Sequence, residues 1–119
     1  MFTTNPVRTQ KNDPAFMMFN GRLEHTTLAV TPGDVVRAYI VNAGPGVSAI
    51  HVMGTILEAV HDGATELRNV QTYGVVPGGG AAIEFRIPQP GMYGLVDHDR
   101  LAYLPYGMVI SFDARERQE

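Results

Sequence analysis

Glycine and proline recur along this chain at intervals too short for helices, and that spacing sets the fold class. Asn20-Gly21, Thr31-Pro32-Gly33-Asp34, Gly44-Pro45-Gly46, Asp62-Gly63, Pro77-Gly78-Gly79-Gly80, Pro88-Gln89-Pro90-Gly91 and Pro105-Tyr106-Gly107 are all turn-forming combinations. Between them lie short segments rich in Val, Ile, Tyr and Phe, at 16–19, 26–30, 35–42, 48–53, 56–61, 67–76, 81–87, 92–97 and 107–112. This pattern, with no long run of helical period, predicts an all-β protein built as a Greek-key β-sandwich or barrel. The segment AAIEFRI shows the alternation best. Ala81, Ile83, Phe85 and Ile87 fall on one face, expected to be core, and Ala82, Glu84 and Arg86 on the other, expected to be wet.

At 119 residues and 45% apolar, the chain can bury one core and no more. The expected organisation is an N-terminal arm or linker at 1–15, a domain at 16–113 and a charged tail at 114–119. The net charge is −3 and Lys11 is the only lysine, so no basic stripe is available to neutralise phosphates, and nucleic acid is not an expected partner. No apolar run approaches the roughly 20 residues that span a bilayer, and the start of the chain has neither the charged nor the apolar region of a signal peptide. No membrane partner is expected.

Cysteine is absent, which removes disulfides, thiol nucleophiles, Cys-based zinc, iron–sulfur clusters and the thiolate of a blue-copper centre. The triple glycine at 78–80 lacks the Lys-Ser/Thr and helix of a phosphate cradle and reads as a turn between strands. Ser48 and Ser111 stand in strand patterns without a nucleophile elbow. Four histidines remain, His25, His51, His61 and His98, with no His-x-His pair and no HExxH. Each taken alone reads as structural or exposed. A sandwich, however, gathers loops from distant strands at one end, so their separation in sequence does not prevent a shared site.

Several segments, in order, resemble a known family. The run Pro32-Gly33-Asp34 through Asn42, then Gly44-Pro45 and Ser48-Ala49-Ile50-His51-Val52, is similar to the early strands of a cupredoxin. Pro90-Gly91-Met92-Tyr93-Gly94-Leu95-Val96-Asp97-His98 is similar to the strand that ordinarily ends in the copper-binding cysteine, with Asp97 in the cysteine's place. Taken together, these landmarks resemble the second, C-terminal cupredoxin domain of copper-containing nitrite reductases and related two-domain multicopper oxidases, over about residues 16–113.

The resemblance implies a type 2 copper shared with a partner domain or subunit. Within it the VDH motif makes His98 a copper ligand, and the IHVMG motif makes His51 the catalytic residue that hydrogen-bonds substrate and delivers a proton. It also implies reduction of nitrite or another small molecule, a homotrimer, electrons from a blue-copper domain or donor protein, and a periplasmic or other extracytoplasmic setting. The family's first domain, with the type 1 copper and two of the type 2 ligands, is expected to lie off this chain. His25 and His61 match no motif and are expected in surface or strand-packing roles. Met17, Met18 and Met53 are expected as core fillers, and the apolar stretch 101–108 as a partner-facing or self-buried segment. The alternative is a metal-free β-sandwich that serves oligomerisation.

Overall fold

The computed structural model describes residues 26–99 and 109–116, together with the backbone of two short strands, Phe2–Thr3 (β1) and Phe16–Met17 (β2). These two pair antiparallel, Phe2 opposite Met17. The remaining strands are β3 (Thr26–Val30), β4 (Val35–Val41), β5 (Ser48–Met53), β6 (Leu57–Asp62), β7 (Thr65–Val70), β8 (Thr72–Val75), β9 (Gly80–Arg86), β10 (Gly91–Asp97) and β11 (Val109–Ala114). The expected all-β architecture is the observed one.

A five-stranded sheet runs β3-β11-β10-β5-β8 and a four-stranded sheet runs β4-β9-β6-β7. All pairings are antiparallel except β11 with β3. The chain crosses between the sheets at most of its turns, so consecutive strands seldom share a layer. Each layer contributes its inward residues to one core. Ile50, Val52, Tyr93, Leu95 and Phe112 come from the five-stranded sheet and Leu57, Val60, Ile83 and Phe85 from the other. Phe85 meets Phe112 edge to face across the layers, with ring centroids 5.3 Å apart. On β9 the expected alternation appears: Ile83 and Phe85 are buried, as is Ile87 just beyond, while Arg86 is exposed.

Turn chemistry fixes the connections. Gly63 has a φ of 58° and opens the two-residue loop that joins Asp62 to Thr65, a left-handed conformation that glycine adopts more readily than other residues. The expected turn before β9 is formed by Val76–Gly79, with Gly79 N donating to the Val76 carbonyl, and the third glycine, Gly80, already opens β9. Among the described residues, no helix is long and apolar enough to cross a membrane.

Two expectations fail. The segment 67–76 is not one strand: it breaks at Gln71, and its halves, β7 and β8, belong to different sheets. Met53 is not a core filler. It is 41% exposed, because inward positions of β5 are taken by Ser48, Ile50 and Val52 and residue 53 faces the other way. The apolar stretch 101–108, Met18 and the side chain of Met17 lie outside the described residues.

Candidate functional site

The face of the five-stranded sheet turned away from the core carries the two histidines of interest. On β5, Ile50 and Val52 point inward, so His51 points outward and is half-buried. Its neighbours across the ladder are Val96 on β10 and Thr72 on β8. His98 follows Asp97 immediately after β10 ends, in a 3₁₀ conformation, and is exposed. Continuing the alternation of β10, His98 falls on the same side as Val96 and therefore beside His51. The two imidazoles meet edge to face, with centroids 5.5 Å apart and an interplanar angle of 87°.

The break at Gln71 turns out to matter to His51. Where the chain passes from one sheet to the other, the Gln71 carbonyl lies 2.8 Å from His51 Nδ1. A carbonyl only accepts, so the neutral ring carries its proton on Nδ1 and leaves the lone pair on Nε2. Thr72 Oγ1 lies 3.3 Å from the same Nδ1 and is a second, weaker partner. Gln71 and Thr72 were not legible as site residues from sequence. The only signal would have been a crossover within an apparently continuous strand.

Asp97 faces the other way from His98. It is 1% exposed, and its Oδ1 accepts from the backbone N–H of Ala49 at 2.9 Å and of Asp99 at 3.1 Å. It is therefore not a hydrogen-bond partner of the His98 ring, which makes no hydrogen bond to any described residue. Nearby, Asn42 braces its own turn and ties it to β8: its amide donates to the Gly46 and Val75 carbonyls, and its Oδ1 accepts from Gly44 N. That network holds the 42–46 turn against the end of β8.

His61 is on the other sheet, where its Nε2 lies 3.6 Å from Glu84 in an ion-pair cluster that includes Arg37. The structure thus brings His51 and His98 together and keeps His61 apart. His25 lies outside the described residues. Among the described residues, no group of three or more His, Asp or Glu side chains is arranged to hold a metal. What the pair itself offers is an imidazole fixed through Nδ1, with an Nε2 that no described residue engages, beside a second, exposed imidazole. That is a donor set suited to one ligand and one proton carrier for a metal completed from elsewhere.

No family model matches the chain. The copper-containing nitrite reductase of Neisseria meningitidis is 39% identical over 92 residues, a match that covers 71% of this chain and 24% of that protein. The copper-containing nitrite reductase of Neisseria gonorrhoeae gives the same identity and coverage. The chain therefore spans about a quarter of the length of the curated relatives it matches. Among solved structures, the copper-containing nitrite reductase of Thermus scotoductus superposes with a TM-score of 0.84 at 28% identity, covering 95% of this chain and 28% of that one. The copper nitrite reductase of Nitrosomonas europaea superposes with a TM-score of 0.82 at 22% identity, covering 97% of this chain and 45% of that one, a likeness of fold. With its two-layered sandwich and these similarities, the chain is a cupredoxin-like domain that resembles the C-terminal cupredoxin domain of copper-containing nitrite reductases.

Proposed function

We propose that this domain contributes histidines to a type 2 copper site at an interface with a partner domain or subunit, and that the complete site reduces nitrite to nitric oxide. His98 is the ligand and His51 the proton-delivering residue. The contact between their rings, from β5 and from the turn after β10, is the observation that carries this reading. Having no cysteine, the chain holds no type 1 blue-copper centre on this reading and receives its electron from a partner.

The residues fit such roles. His98 is exposed and its ring nitrogens are not engaged by any described residue, so one is free to donate a lone pair. His51 is held by the Gln71 carbonyl at Nδ1, so the proton it exchanges is the one on Nε2. Copper, when bound, supplies a site where nitrite can coordinate and accept an electron. Conversion of nitrite to nitric oxide also consumes protons, because the departing oxygen leaves as water. An imidazole that changes charge near neutrality and stays anchored by its other nitrogen can deliver one and be recharged from solvent. A ligand and a proton carrier with rings in contact bring acid and metal within reach of one small anion. An extracytoplasmic setting belongs to the same reading.

Copper titration followed by electron paramagnetic resonance tests it. The chain is expected to take up Cu(II) with a nitrogen-coupled signal that His98→Ala abolishes and His51→Ala preserves. Uptake unchanged in His98→Ala sinks the ligand assignment.

A further inference from the structure

We infer that Asp97 is a positioning residue that sets the separation of the His51–His98 pair. One oxygen does this. Asp97 Oδ1 accepts from Ala49 N, two residues before His51 on β5, and from Asp99 N, one residue after His98. The β10–β5 ladder ends at the Asp97–Ile50 pair, so His98 lies just past the last rung. A carboxylate at this point clips the departing turn back to the strand that carries His51.

The arrangement carries a cost that argues for a role. Asp97 is 1% exposed, and its second oxygen, Oδ2, is buried without a hydrogen-bond partner among the described residues. Burying an unsatisfied carboxylate oxygen is unfavourable, and an apolar residue at this inward position would avoid it. An apolar residue, however, would accept neither N–H. Because adjacent residues point to opposite sides, Asp97 does not touch either imidazole and acts through the backbone. This role deepens the copper-site reading, since a ligand and a proton carrier must be kept at a fixed distance, but its test needs no copper.

The full 119-residue chain, isotope-labelled and metal-free, is examined by nuclear magnetic resonance. Wild type is expected to show cross-relaxation between the ring protons of His51 and His98, and slow solvent exchange at the Ala49 and Asp99 amides. Asp97→Asn keeps an oxygen acceptor in place and should retain both features. Asp97→Ala should lose the ring-to-ring signal while His51 keeps its Nδ1–H tautomer, which shows β5 intact. The assignment is overturned if Asp97→Ala keeps the ring-to-ring signal at wild-type strength, or if Asp97→Asn loses it as fully as alanine. Should alanine prevent folding, wild-type exchange still decides, since freely exchanging Ala49 and Asp99 amides mean the clip does not exist. A chain that keeps the ring contact yet takes up no Cu(II) defeats the copper reading and leaves Asp97's role standing.

Discussion

The histidine pair depends on polar atoms that lie far away in sequence. Gln71 O is twenty residues from the ring nitrogen it holds, and Asp97 reaches forty-eight residues back to Ala49. Such partners have no local signature. His51 and His98 themselves stood out because short motifs surround them, whereas Gln71 and Thr72 are polar residues inside a stretch that reads as a single strand. A third polar contact, between Tyr73 and Asp62, links the ends of two strands in different sheets, its hydroxyl donating to Asp62 Oδ2. The hydrogen bond chiefly, then loss of solvent around the hydroxyl and the negative charge of Asp62, raise the Tyr73 pKa above its ordinary 10.0. A raised value means that the folded state holds the proton more tightly than the unfolded state. The resulting stability is complete below about pH 10 and is lost as pH climbs through the folded value. Tyr73→Phe should therefore cost about 0.5–1 kcal/mol at neutral pH, a modest figure because the contact is exposed. Urea unfolding of both proteins at neutral and strongly alkaline pH checks this, and a gap that widens with alkalinity contradicts it.

At the scale of strands and turns, alternation made most of the fold legible. β3 and β5 match their expected bounds, and β4, β6, β9 and β10 differ by a residue or so at their ends, where pairing partners decide the limits. The 67–76 segment failed for a physical reason. Alternation reports which side a residue faces, but not which sheet supplies the facing neighbour. Here Asn69, with a φ of 55°, lies two residues before the crossover and marks the bend. Gly54, the last residue of the IHVMG motif, is a second place where backbone geometry governs an element. Its φ is 105°, and a Cβ there would lie 2.7 Å from Tyr93 Cδ1. Tyr93 cannot easily yield, because its hydroxyl donates to the Gln89 carbonyl at 2.7 Å and its ring is buried. Strain and overpacking thus add at one site. Gly54→Ala is expected to destabilise the domain by about 2–4 kcal/mol. A loss under about 1 kcal/mol by equilibrium unfolding would show that the turn and ring relax together.

Considered as a whole, the molecule is a two-layered sandwich with its histidine pair on the outside of one layer. Cu(II) favours a tetragonal set of nitrogen and oxygen donors, which the His98 imidazole alone does not complete and would not complete even with His51 added. Among the described residues no third His, Asp or Glu joins them. The copper-site reading therefore requires donors from a neighbouring molecule or domain, and a closed symmetric assembly of identical chains is the simplest way to present them. Coupling of this kind has a thermodynamic signature. If copper binds only where chains meet, copper stabilises the assembly and assembly tightens copper binding, by mutual linkage. Copper titrations at increasing chain concentration should then reach half-saturation at progressively lower free copper, until assembly is complete. Native mass measurement should find a closed oligomer, with a trimer favoured, whose population rises with added copper. Replacing both His51 and His98 by alanine should remove that copper response while leaving any metal-independent association in place. A half-saturation point that does not move with chain concentration, on a species that stays monomeric, would mean that the chain binds copper alone or by another route. An oligomer that forms equally well with and without copper, and is indifferent to both substitutions, would instead identify the sandwich as an assembly module whose paired histidines hold no metal.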